Sequence, residues 1–127
     1  MFDSLNITSI NINGINNEKK QLMLINHLIY NKIDIMLLQE HNIRDIKNVS
    51  PKINEKYTLI INLAINHKGG TAILIDKRLD IKIKNHEMSA DSRIISALLE
   101  FDDKPLHLLN IYAPSGSKNT DRDQFFN

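Results

Sequence analysis

Three short segments carry side chains whose types and spacing can do chemistry. The first is Asn11-Ile12-Asn13-Gly14. On a strand, residues two apart send their side chains to one side, so Asn11 and Asn13 would present paired amides. Such a pair can orient a phosphate, a water or a carboxylate. Asn-Gly between apolar runs is also a leading hairpin signal, but the segment that follows has a helical period and is not a returning strand. The second segment is Leu37-Leu38-Gln39-Glu40-His41. A carboxylate directly after a buried parallel strand lies at that strand's carboxyl end, the edge where sites form in α/β sheets. One carboxylate there suits Mg²⁺, which takes hard oxygen ligands and keeps several waters. Taken alone, Glu40 is better read as marking the point where the strand reaches solvent. The third segment is Asn110-Ile111-Tyr112-Ala113-Pro114-Ser115-Gly116. A strand-end tyrosine can donate its hydroxyl to a phosphate oxygen, or it can cap the core with its hydroxyl in water.

Other chemistries are excluded or carry no signal. The 127 residues include no cysteine, so disulfides, thiolate zinc sites and a cysteine nucleophile are absent. His27, His41, His67, His86 and His107 show no metal-ligand spacing. His107 lies in an apolar run and reads as a core or sheet residue. Gly69-Gly70 precedes a strand, so it does not cradle a phosphate at a helix N-terminus. Lys plus Arg number 16 against 15 Asp plus Glu, a formal charge of +1. That balance excludes a histone-like basic tail but not a local basic patch. The hydrophobic fraction of 42% and charged fraction of 24% are those of a globular domain. Apolar runs are short and broken by Asn, Asp or Gln, so no membrane partner is expected.

The elements that must position these residues follow from periodicity. Leu5 to Asn13 reads as a strand, with Ile10 and Ile12 on one face and Ser9, Asn11 and Asn13 on the other. From Asn17, a plausible N-cap, Leu22, Ile25, Leu28 and Ile29 recur at helical steps. Ile33 to Gln39 is apolar almost throughout and reads as a strand buried on both faces. Strand, helix, buried strand is the βαβ pattern, which makes the two strands parallel. Tyr57 to Ile65, Gly70 to Asp76, Leu79 to Lys84, Arg93 to Phe101 and Leu106 to Tyr112 follow as strands joined by turn clusters. The residues alone therefore predict a mixed, mostly antiparallel sheet with a helix on one face, an α+β arrangement. Near the C-terminus, Thr120-Asp121-Arg122-Asp123 has the form of a capping box, and Phe125 and Phe126 open an apolar helical face. A helix one turn long is not stable alone, so an element is expected to begin there and continue beyond Asn127.

The order of these segments carries more than any one of them. Ile10-Asn11-Ile12-Asn13-Gly14-Ile15, Leu37-Leu38-Gln39-Glu40, Gly69-Gly70-Thr71-Ala72-Ile73-Leu74-Ile75, Arg93-Ile94-Ile95 and Asn110-Ile111-Tyr112-Ala113-Pro114 together resemble the exonuclease–endonuclease–phosphatase family. Within it, the chain looks most like the endonuclease domains of LINE-type (non-LTR) retroelements. The resemblance runs from near the start of the chain to its end. It implies a DNase I-like two-sheet α/β sandwich with helices outside and a site at one end. It also implies a Mg²⁺-dependent phosphodiesterase, with Mn²⁺ a possible substitute, that nicks DNA. By resemblance Glu40 is the metal ligand, and Asn11 helps hold the catalytic cluster. Asn13 matches a position that is Asp or Asn in retroelement members. Tyr112 stands near the scissile phosphate. Ser115 falls where many members have Asn, in a phosphate- or DNA-contacting role.

The family's G-D-x-N and terminal Ser-Asp-His motifs do not occur in this sequence. Residues 1–127 thus look like the N-terminal half of such a domain. The half alone is expected to be inactive, since metal-assisted hydrolysis requires a Lewis acid, an oriented nucleophile and charge stabilisation together. DNA would be its partner once completed, and a retroelement enzyme would work in the nucleus. Two other readings stand beside this one. One is an abasic-site endonuclease or small-molecule phosphatase of the same family. The other is a non-catalytic α+β binding module, in which Asn11, Glu40 and Tyr112 would not converge.

Overall fold

The structure, a computed structural model, describes residues 4–113. Ser115, the capping-box residues Thr120 to Asp123, and Phe125 and Phe126 lie outside the described residues. In chain order the elements are β1 (Ile7–Asn11), α1 (Glu18–Tyr30), β2 (Ile35–Gln39), a 3₁₀ turn (Ile46–Asn48), α2 (Pro51–Lys56), β3 (Tyr57–Asn62), β4 (Thr71–Asp76), β5 (Ile81–Met88), β6 (Ile94–Phe101) and β7 (Lys104–Ile111).

The strands divide between two sheets. The first has the order β1-β2-β4-β3, with β1 and β2 parallel and the other pairs antiparallel. The second is an antiparallel meander, β5-β6-β7. The βαβ unit expected from the sequence is therefore present, and β2 and β4 are the inner strands of the first sheet. Inner strands are apolar on both faces. Ile35, Ile60, Ile73 and Ile75 face the second sheet and pack with Ile95, Ala97, Leu99 and Leu108. Met36, Leu38, Ala72 and Leu74 face the other way, against Leu24, Ile25 and Leu28 of α1 and Ile53 of α2. The chain is thus an α+β sandwich with both sheets in contact and the helices on one side.

Several boundaries differ from the sequence reading, each for a local reason. Asn17 caps α1 as expected, its side chain accepting from the Lys20 N–H at 2.9 Å. The buried face of α1 is Gln21, Leu24, Ile25 and Leu28, while Ile29 is exposed. Gln21 is buried because its amide is fully used. It donates to the Ile15 and Asn48 carbonyls and accepts from the Ser50 N–H. β5 begins at Ile81, because Leu79 closes the preceding turn onto the Asp76 carbonyl. It runs on through polar Asn85-His86-Glu87 because an exposed edge strand needs no apolar alternation. β7 starts at Lys104 because Asp102 and Asp103 both take positive φ, 54° and 61°, as in a tight hairpin turn. His107 lies in that strand but is exposed, so it is a sheet residue and not a core one. Met88, Leu109 and Ile111 leave exposed apolar surface on the second sheet.

Candidate active site

Strand register brings the carboxyl ends of β1 and β2 together, with Asn11 opposite Gln39. Gln39 in turn pairs with Thr71 at the start of β4, and Thr71 with Asn62 at the end of β3. Glu40 is the first residue past β2 and sits at the head of this row. It is 9% exposed and adopts a left-handed backbone, φ 58°. Its N–H donates to the Gly70 carbonyl at 2.8 Å, and its own carbonyl accepts from the Gly14 N–H at 2.8 Å. Gly14 itself has φ 97°, and a Cβ there would stand 2.9 Å from the Asn42 side-chain nitrogen. The Asn-Gly pair is therefore a bend that carries the chain from β1 to α1 under the Glu40 loop, and not a hairpin.

The second sheet delivers Tyr112 to the same end. Its N–H closes the β6–β7 ladder on the Arg93 carbonyl at 2.8 Å. The Tyr112 hydroxyl is held above its ordinary pKa, first by burial and then by the negative charge of Glu40, with Arg93 opposing. A carboxylate, a phenol and a guanidinium are thus electrostatic neighbours at one end of the sandwich. Arg93 is a site candidate that sequence reasoning passed over, although its place just before β6 was visible.

Asn110 fixes the two sheets to each other at this point, and it too was passed over. It is 1% exposed. Its side-chain NH₂ donates to the Leu38 carbonyl at 3.0 Å and to the Ala72 carbonyl at 2.8 Å. Its side-chain oxygen accepts from Gln39 at 2.7 Å. The residue before Glu40 is therefore bonded to the residue two before Tyr112. Thr71 and Asn62 add further ties between the sheets, to the Ser92 and Ser89 carbonyls.

The two asparagines of the first strand are placed differently from one another. Asn11 ends β1 beside Gln39 and is exposed, with its side-chain oxygen accepting from the Asn13 N–H at 3.2 Å. Asn13 is not on the strand. It has φ 53° and follows the last paired residue, so the alternation that would place both amides on one side does not reach it. Ser115 lies outside the described residues.

The donor chemistry of this end fits a hard, largely hydrated cation. Glu40 supplies one carboxylate, and among the described residues no group of three or more His, Cys, Asp or Glu gathers to hold a metal. His41 is no ligand, because both ring nitrogens are used by the backbone. Nδ1 accepts from the Ile43 N–H at 2.8 Å, and Nε2 lies 3.0 Å from the Asn62 carbonyl, to which it donates in the matching tautomer. Burial holds His41 below its ordinary pKa. A single hard carboxylate is the donor type that Mg²⁺ or Mn²⁺ takes, and it does not match the nitrogen- and sulfur-rich set of a zinc site.

No family model matches the sequence, and no curated protein does either. Solved structures match over nearly the whole chain. A humanised D. rerio TDP2 superposes with a TM-score of 0.75 at 20% identity, covering 96% of this chain and 52% of that one. An AP endonuclease from Archaeoglobus fulgidus gives 0.68 at 22% identity, covering 96% and 46%. The 3′ phosphatase NExo from Neisseria, bound to a product DNA hairpin, gives 0.64 at 17% identity, covering 97% and 49%. The fold is therefore the DNase I-like one, and the chain spans about half the length of the structures it matches.

Proposed function

We propose that the chain is the N-terminal half of a Mg²⁺-dependent phosphodiesterase that nicks DNA, the endonuclease domain of a LINE-type retroelement acting in the nucleus. The observation that carries this reading is the 2.7 Å hydrogen bond from Gln39 to Asn110, which brings the strand end that carries Glu40 to the strand end that carries Tyr112. A buried carboxylate at the end of an inner strand stands within electrostatic reach of a strand-end phenol from the other sheet. In that reading Glu40 would hold the cation. When bound there, it would supply Lewis-acid chemistry to the phosphate. Tyr112 donates its hydroxyl to the phosphate, and Asn11 steadies the ligand end of β1. Asn13 belongs with Asn11 and Tyr112 in the catalytic set, and Ser115 takes the phosphate- or DNA-contacting role. The group that activates the attacking water comes from the missing half, so the chain by itself does not hydrolyse DNA. Retroelement identity rests on the order of the sequence segments. An AP endonuclease and a 3′ phosphatase among the structural neighbours keep the abasic-site and phosphatase readings as the competitors to test.

The test uses a protein extended through the missing half, with Mg²⁺, on supercoiled plasmid, on an abasic duplex and on a 3′-phosphorylated duplex. Nicking of the plasmid that Glu40→Ala removes supports the proposal. Turnover confined to the abasic or phosphorylated substrate moves the function to the competing readings. No turnover of any substrate supports the non-catalytic module.

A further inference from the structure

The segment that carries Glu40 has an unusual backbone. Glu40 and Asn42, on either side of His41, both adopt left-handed φ, 58° and 64°. Neither is glycine, and a glutamate pays for this conformation where an asparagine tolerates it. Something must hold the segment in place. Backbone contacts supply part of the answer, since Glu40 and Asn42 donate to the Gly70 and Gly69 carbonyls, each at 2.8 Å. The Asn42 side chain also accepts from the Gly69 N–H at 2.9 Å.

The rest is the His41 ring. It is 0% exposed and bridges two elements. One nitrogen takes the Ile43 N–H, which closes the loop onto itself, and the other reaches the Asn62 carbonyl at the end of β3. The ring lies flat against Gly70. A Cβ at Gly70 would fall 2.2 Å from its Cε1 and 2.5 Å from Nε2. Gly70 is thus required twice, by its φ of 87° and by the space the imidazole occupies.

We infer that His41 is a positioning residue that clamps Glu40 in its left-handed, inward conformation, with Gly70 as the seat of the clamp. This deepens the proposed function and rests on it for the value of holding Glu40, but the clamp itself can be measured without metal or DNA. Asparagine can place its oxygen where Nδ1 stands and keep the Ile43 contact. Glutamine can place its nitrogen where Nε2 stands and keep the Asn62 contact. Alanine keeps neither.

The experiment compares the 127-residue chain with His41→Asn, His41→Gln, His41→Ala and Gly70→Ala. Backbone shifts and couplings in solution NMR read the φ of Glu40 in metal-free protein. Paramagnetic broadening by Mn²⁺ alone reads the ion's affinity for the Glu40 end, with Glu40→Gln as control. Glu40 should keep positive φ in the native chain and in His41→Asn, and lose it in His41→Ala. Mn²⁺ affinity should fall by about tenfold in His41→Ala, the low end for residues that act through a ligand, and recover in His41→Asn. Thermal stability should stay reduced in both, so affinity and stability part company, which a purely structural histidine would not produce. If His41→Ala does not fold, His41→Gln, which keeps the Asn62 contact and loses only the Ile43 one, takes its place. Glu40 holding positive φ in the folded variants overturns the clamp. Native chain with positive φ at Glu40 but no Glu40-dependent Mn²⁺ broadening leaves the clamp standing and removes the metal-site reading.

Discussion

The hydrogen bonds of Asn110 make a stability prediction with an internal control. Asn110→Ala deletes three bonds at a site that is 1% exposed. Gln39 keeps other acceptors, the Ser9 hydroxyl at 2.9 Å and the Leu37 carbonyl at 3.2 Å, so its loss is small. The Leu38 and Ala72 carbonyls each lose a donor in a buried place. A lost bond costs about 0.5–1.5 kcal/mol, and about 1–3 where a group is left unsatisfied, so the sum is about 2–4 kcal/mol. Domains of this kind have a total stability of roughly 5–15 kcal/mol. Asn110→Asp is the isosteric change and should be worse. Its carboxylate would put an oxygen where the NH₂ donates to two carbonyl oxygens, and a buried unpaired charge costs about 3–5 kcal/mol. Urea unfolding followed by circular dichroism, at constant m, ranks native above Asn110→Ala above Asn110→Asp at neutral pH. The introduced carboxyl would be held protonated in the fold, so Asn110→Asp should recover toward Asn110→Ala as pH falls toward the free carboxyl value of about 3.9. Equal stability of the two variants at neutral pH would refute the assignment of the two carbonyls as the partners that matter.

Three further expectations can be checked together. Burial lowers the pKa of His41 in the fold, so the unfolded chain takes up that proton first; stability is full above the ordinary value of 6.5 and falls as pH drops below it. The loss cannot exceed about 1.4 kcal/mol per pH unit, and a urea midpoint that falls no more in the native chain than in His41→Asn as pH drops below 6.5 would contradict it. On the proposed function the 127-residue chain with Mg²⁺ should leave supercoiled plasmid intact, because a base worth about 10²–10⁴-fold and donors each worth about 10²–10³-fold would come from the other half; Glu40-dependent nicking by this chain would show the half-site has chemistry of its own. Leu109 and Ile111, 58% and 42% exposed on the outer face of an edge strand, should promote self-association. Leu109→Lys with Ile111→Lys should shift gel filtration toward monomer, with each change moving stability by less than about 0.5 kcal/mol.

What could be read from the sequence was whatever rests on period and order. The β1–α1–β2 unit is legible because Ile10, Ile12, Ile25, Leu28 and the run from Ile35 to Leu38 keep their periods, and because Asn17 caps a helix in any context. The end of β2 was legible too, since an apolar run that stops at a charge locates a strand's carboxyl end whatever packs around it. The division of seven strands into two sheets was not legible from period, because both sheets use the same alternating residues. It depends on contacts such as Ile73 with Ile95 and Ala97 that no local pattern encodes. The placement of Asn13 failed for a related reason: strand alternation was carried past the last paired residue, where φ turns positive and the rule ends. His41, Asn110 and Gln21 were hidden because a polar residue in a sequence shows its donors and acceptors but not whether the fold consumes them. Each is buried, and each spends at least one of those groups on the backbone of a distant segment. Hence the residue expected to hold a cation was visible one position past an apolar strand. The residues that hold it in place became visible only when the second sheet and the Gly69-Gly70 turn were in position around it.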